Sequence, residues 1–271
     1  KPNVIQNGIF YLYFRKIIMN RNIYILLLSV IAAIAGFLFG FDTGVINGAL
    51  TPMAKTFGIE NIAWLKELIV AAVPLGALVG AMVSGIFSHR FGRKNSIIYS
   101  AFLFMLGTVL VAISLDPYTA IFGRLIMGFA VGISAMIVPM YLSEISPPKI
   151  RGTVIFMFQL AITIGLFIAF VINYTLQDSW REMFWFGVIP SAILGIGMIF
   201  MPKSPRWLAL KGKTSHATQV LQNLHKRDNV SEEINAILES ANHKSISLTE
   251  LFRSKQLRNL VFLTFGLFVA Q

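Results

Sequence analysis

The 271-residue sequence contains no cysteine. That excludes disulfides, thiolate metal sites and cysteine nucleophiles. Charge is scarce as well: Asp, Glu, Lys and Arg together make up 13% of the chain, about half the share in an ordinary soluble domain. Acidic residues are the scarcest, 12 against 23 Lys plus Arg, and histidine occurs only four times. No nucleophile–base pair, metal-ligand cluster or phosphate-cradling loop stands out, so the sequence offers neither an enzyme's chemistry nor a cofactor or metal site. What abounds is apolar: 56% of residues are hydrophobic and the mean hydropathy is +0.71. Such a composition reads as an all-α membrane protein. The formal charge of +11 then calls for a place relative to the bilayer, and a nucleic-acid partner is not expected.

A span needs about 20 apolar residues. Six runs qualify, at about 23–50, 66–88, 96–115, 119–143, 153–175 and 183–201. A seventh occupies 258–271, where 14 residues give roughly 21 Å of helix, short of the ~30 Å hydrocarbon core. Lys and Arg concentrate on the side that keeps contact with cytoplasm. If the first span runs outward, 19 of them fall on inner segments, among them Arg21, Arg90, Arg93, Lys94, Lys149, Arg151 and ten between Lys203 and Arg258. The outer segments hold Lys55, Lys66 and Arg181. Both ends of the chain are thereby expected in the cytoplasm.

Four regions follow: an amino-terminal segment at 1–21, a six-helix half at 22–202, a cytoplasmic helical linker at 203–256, and the start of a seventh span at 257–271. Met19-Asn20-Arg21-Asn22 directly precedes the first span, so Met19 is the expected natural start and residues 1–18 are expected to be foreign to it. A cleaved signal peptide is the rival reading, but the first span is too long and lacks an Ala-x-Ala site. In the linker, Ser204-Pro205 reads as a helix cap with proline in the first turn, Gly212 as its end, Ser231 as a second start, and Ser247 with Glu250 as capping-box spacing. Six spans and an insertion fit two three-helix units of an inverted repeat, although no strong residue-level repeat is visible.

Charges inside a membrane are expensive and usually functional. Asp42, in Gly40-Phe41-Asp42-Thr43-Gly44, lies five to eight residues from the outer end of the first run, and Arg124 about five residues into the fourth. At about 1.5 Å per residue both sit some 8–12 Å below the outer surface, matched for an ion pair. Such a pair serves either to bind and release a proton or to fix helix packing. Gln159 in the fifth span can hydrogen-bond a hydroxyl-rich ligand or another helix. Asn173, near the outer end, reads as interfacial, and Phe39 or Phe41 can line a cavity. Gly76, Gly80 and Gly85 in the second span, with Gly123, Gly128 and Gly132 in the fourth, read as close-packing positions. The inner loops His89-Arg90-Phe91-Gly92-Arg93-Lys94 and Pro147-Pro148-Lys149-Ile150-Arg151-Gly152, with Glu144, offer either a gate of ion pairs or positive-inside anchoring alone.

Taken in order, Phe39-Gly40-Phe41-Asp42-Thr43-Gly44-Val45-Ile46-Asn47-Gly48, Arg90-Phe91-Gly92-Arg93-Lys94, Gly123-Arg124 and Pro139-Met140-Tyr141-Leu142-Ser143-Glu144-Ile145-Ser146-Pro147 form a recognisable series. Ile150-Arg151-Gly152, Gln159-Leu160, Trp180-Arg181 and Ser204-Pro205-Arg206-Trp207-Leu208 continue it. The chain resembles the sugar porter family of the major facilitator superfamily over about residues 22–271, and most closely its bacterial proton-coupled members. The resemblance implies alternating access by two six-helix halves around a monosaccharide, in a plasma membrane. It implies that Asp42 takes the proton, paired with Arg124; facilitative relatives carry Asn there, so symport is expected. It gives Gln159 and Phe39 to the sugar, and Arg90, Arg93, Glu144, Arg151 and Arg206 to an inner salt-bridge network.

Departures from the family pattern are Lys203, where Glu is usual, and His89, where the superfamily prefers an acid. The chain also stops about where the glutamine-rich motif of helix seven begins, so it reads as the amino-terminal half of a proton-coupled sugar transporter, with a carboxy-terminal half as the missing partner. A non-transporting fragment or relic is the alternative, and a membrane sugar sensor signalling through 203–256 a third.

Overall fold

The computed structural model describes residues 21–147, 149–177, 179–225 and 230–242. The expectations for Met19, for Ser247 with Glu250 and for the seventh span lie outside the described residues. All regular structure within them is helical: α1 (Arg21–Phe57), α2 (Ala63–Phe91), α3 (Arg93–Ala112), α4 (Pro117–Ile145), α5 (Arg151–Leu176), α6 (Trp180–Ile199), α7 (Pro205–Leu210), α8 (Thr214–His225) and α9 (Ser231–Asn242). The first six are long and apolar enough to cross a membrane.

α1 packs most extensively on α5, α2 on α4, and α3 on both α4 and α6. The first helix of each three-helix unit therefore lies against the second helix of the other, which is the packing an inverted repeat requires. Glycine makes both seams possible by letting backbones approach closely. Along α1, Gly36, Gly40, Gly44 and Gly48 meet Phe158, Ile162, Leu166 with Ala169, and Asn173 of α5, and a Cβ at any of them would collide. The α2–α4 seam is reciprocal: Gly76 and Gly80 fit against the carbonyls of Leu125 and Phe129, while Gly128 and Gly132 fit against those of Val73 and Ala77. Two glycines depart from the expected pattern. Gly85 faces open space, and Gly123 packs on Gly107 and Val111 of α3.

α1 also runs past its apolar stretch, through Pro52, to Phe57. Tertiary contact holds the extension: Trp180 Nε1 donates to Thr56 Oγ1 at 3.0 Å and the Trp180 ring meets Phe57 edge-on at 5.5 Å. Asp42 consequently lies fifteen residues before the helix end, not five to eight. Asp116 caps α4, accepting from Thr119 N at 2.9 Å with Pro117 in the first turn. Ser204 caps α7 through Trp207 N at 3.1 Å, and Gly212 ends it at φ 72°. α7 to α9 enclose a small core of their own, including Leu208, Ala217, Leu221 and Ile234, at the end of the bundle that carries the basic loops.

Candidate functional site: a buried ion pair and a basic-end clamp

Successive residues on a helix turn by about 100°, so α1 presents three different faces within one heptad. The glycines face α5, Thr43 and Asn47 are exposed, and Asp42 points inward, 1% exposed. Arg124 enters from α4, equally buried, and its Nη1 stands 3.3 Å from Asp42 Oδ1. Its Nε donates to the main-chain carbonyl of Ile69 on α2 at 2.7 Å. Its guanidinium carbon lies 6.0 Å from the centre of the Phe184 ring on α6. One side chain thus joins α1, α2, α4 and α6. Asp42 Oδ2 is buried without a hydrogen-bond partner among the described residues. Removing one member of a buried pair strands the other charge, at about 3–5 kcal/mol.

Gln159 lies exposed on α5, and its amide has no hydrogen-bond partner among the described residues. Thr163, one turn on, donates to the Gln159 carbonyl at 3.4 Å and is exposed too, while Phe39 is half-buried on α1. Asn173, three residues before the end of α5, is half-buried. Its Nδ2 donates to the Gly44 carbonyl at 2.9 Å, and it occupies the space that Gly48 leaves, so it clamps α5 to α1.

At the basic end, Arg93 grips Glu144 with two nitrogens, Nε to Oε2 at 3.0 Å and Nη2 to Oε1 at 2.8 Å, in a site where both side chains are at most 10% exposed. Ser204 Oγ donates to the same carboxylate. The hydroxyl that caps α7 is therefore also the link between α7 and α4. Trp207 lies over Gly92, whose φ of 82° no side chain favours, and Trp207 Nε1 donates to the His89 carbonyl at 3.1 Å. His89 takes part through its main chain. Lys203 sits 5.9 Å from the centre of the Trp207 ring, and Lys94 Nζ donates to the Ile199 carbonyl at the end of α6 at 2.7 Å. Arg90, Arg151 and Arg206 are exposed, and no ion pair among the described residues includes them; Arg90 lies 5.7 Å from the Phe91 ring centre.

Sequence reasoning missed Ile69, Phe184 and Ser204 as partners. The first is a main-chain contact and the second a ring contact, neither with any local signature. Ser204 was visible as a cap, but its second acceptor was not.

The family model "Sugar (and other) transporter" matches residues 28–271. "Probable inositol transporter 2" of Arabidopsis thaliana is 36% identical over 263 residues, 93% of this chain and 45% of that protein. The "Arabinose-proton symporter" of Escherichia coli strain K12 is 38% identical, over 87% of this chain and 50% of the symporter. The chain spans about half the length of the curated relatives it matches. Among solved structures, the proton:xylose symporter XylE of the major facilitator superfamily, bound to 6-bromo-6-deoxy-D-glucose, superimposes with a TM-score of 0.76 at 27% identity, covering 90% of this chain and 57% of that one. With this match over nearly its whole length, the chain belongs to the sugar transporter family of the major facilitator superfamily and is an integral membrane protein.

Proposed function

We propose that this chain is the proton-binding, sugar-contacting half of an alternating-access transporter that moves a monosaccharide or a related polyol together with a proton. The single observation that carries the reading is the buried Asp42–Arg124 pair, with one carboxylate oxygen engaged and Oδ2 without a partner among the described residues. Oδ2 is the atom that takes the proton. Protonation removes the charge that holds Arg124 to α1, so α1 and α4 separate at lower cost. The relatives named as symporters of arabinose and xylose support this coupling.

Gln159 and Phe39 contact the sugar, on the exposed side of α1 and α5. Because the chain spans about half the relatives' length, the path closes against a second six-helix half. Arg93, Glu144 and Ser204 hold the basic end shut in the state described here, with Arg90, Arg151 and Arg206 available to acids of that second half. In this reading the membrane is a bacterial plasma membrane, and the basic end, the amino terminus and 203–256 lie in the cytoplasm; the excess of 19 basic residues on inner segments over three on outer ones supports that orientation.

The test is uptake of pentoses, hexoses and inositol into proteoliposomes, with and without a pH gradient, by the chain alone and with a six-helix carboxy-terminal half. Asp42→Asn is expected to abolish gradient-driven accumulation while leaving exchange. Accumulation that survives Asp42→Asn would refute the proton role, and uptake that ignores Gln159→Leu would refute the sugar contact.

A further inference from the structure

The end of the bundle away from the basic loops holds a cleft between α1 and α2 of about 710 Å³, lined among others by Thr51, Ala54, Glu60, Ala63, Lys66 and Glu67. Small-molecule sites commonly enclose about 300–1,000 Å³. Carboxylates offer acceptors only and an ammonium donors only, whereas a sugar hydroxyl is both. Lys66 Nζ is tethered over the cleft by the Glu60 carbonyl at 2.7 Å, and no ion pair among the described residues uses the carboxylates of Glu60 or Glu67.

The cleft is connected downward. Thr43, Asn47 and Thr51 are exposed at four-residue intervals on one face of α1, the next turn beyond Phe39. Gln159 and Thr163 continue the polar exposure on α5. The glycine seam sets Gly36 beside Phe158, Gly40 beside Ile162 and Gly48 beside Asn173, so the two helices run parallel and Gln159 lies level with the turn before Gly40. Thr51 is then about 20 Å further along, at about 1.5 Å per residue. Thr43 Oγ1 and Asn47 Nδ2 donate to the carbonyls of Phe39 and Thr43 one turn earlier. That leaves the Asn47 amide oxygen and the Gln159 amide as the exposed groups of this row that suit water or covering protein better than hydrocarbon. Elsewhere α5 exposes Phe156, Leu160, Phe167 and Phe170, which suit lipid.

We infer that the α1–α2 cleft is a second, outer binding site for a neutral polyol, feeding the Gln159 level along Thr51, Asn47 and Thr43. The inference rests on the sugar-transport reading for its ligand class. The single excess negative charge among Glu60, Lys66 and Glu67 selects neutral sugars over sugar acids.

The chain in lipid nanodiscs is titrated with D-xylose, arabinose, myo-inositol and galacturonate, using calorimetry and the fluorescence of Trp64, which is 58% exposed and adjoins the lining residue Ala63. Two binding phases are expected for at least one neutral sugar. Thr51→Val with Glu67→Gln weakens one phase at least tenfold and leaves the other, which Gln159→Leu removes. Galacturonate binds the cleft at least tenfold more weakly than neutral sugars, and Glu67→Gln narrows that gap. A single phase indifferent to the cleft variants, equal binding of galacturonate, or no sugar binding at all overturns the inference. A cleft phase that persists where no Gln159-dependent phase exists upholds the outer site while sinking the central one. Thr51 and Glu67 are exposed, and an unchanged helical spectrum shows that the variants fold.

Discussion

The Nε of Arg124 lies 2.7 Å from the carbonyl oxygen of Ile69, so the arginine that faces Asp42 is anchored to α2 by an acceptor that does not titrate. Loss of the pair with Asp42 leaves that anchor in place. Arg124→Leu strands the Asp42 carboxylate and is expected to lower stability by about 3–5 kcal/mol, read as a fall in the thermal midpoint in detergent. Asp42→Asn with Arg124→Leu recovers part of the loss, because no buried charge is left unpaired. A double variant no more stable than Arg124→Leu would show that the pair is not what the single variant disrupts.

The basic-end clamp can be opened one bond at a time. Hydrogen bonds to charged groups contribute about 1.5–3 kcal/mol, so Glu144→Gln should favour opening about tenfold or more. A chain without cysteine gives a clean background for thiol labelling. Ser146→Cys, at a position 1% exposed just beyond α4, should react slowly with a maleimide and at least tenfold faster once Glu144→Gln is added. Equal rates would mean that Arg93, Glu144 and Ser204 do not control access at this end.

The two kinds of glycine should separate cleanly. In Gly40→Ala and Gly128→Ala the new Cβ meets the backbone carbonyls of Ile162 and Val73, which cannot swing aside, so both variants lose the folded bundle or melt far lower. Gly85→Ala meets nothing within 4 Å. It is expected to be neutral or to gain up to about 1 kcal/mol from reduced backbone freedom in the unfolded chain. Thermal melts of the three variants side by side check this.

Asp116 carries a pH dependence outside the membrane spans. The hydroxyl of Thr119, then its amide, hold the Asp116 carboxyl below the ordinary carboxylate range. A folded-state pKa lowered in this way stabilises fully above the unfolded value of about 3.9 and is lost as pH falls through the folded one. Asp116→Ala should therefore lower the midpoint at neutral pH and do so less at pH 3. Asp116→Asn keeps a good cap, with no such pH dependence. A difference between wild type and Asp116→Ala that grows on acidification would contradict the assignment.

Several features were legible without coordinates because their causes are local. The six spans follow from unbroken apolar runs, the capping of α7 from Ser204 and Pro205, and its end from Gly212. Asp42 and Arg124 stood out because hydrocarbon makes any charge conspicuous, and the family series carried the rest of the identification. Other features depend on groups far apart in the chain. α1 ends at Phe57, past its apolar run, because Trp180 from another helix holds its last turns. Gly85 belongs to no seam because it comes five residues after Gly80, not four, and so turns to another face of α2, while Ser84 and Ser88 stay buried and Ser88 reaches Met140 of α4. Asn173 is a clamp because Gly48 leaves room for its side chain against α1. Main-chain acceptors such as the Ile69 carbonyl carry no residue-type signal, so the sequence determined which charges lie inside the bundle while only packing decided what each one touches.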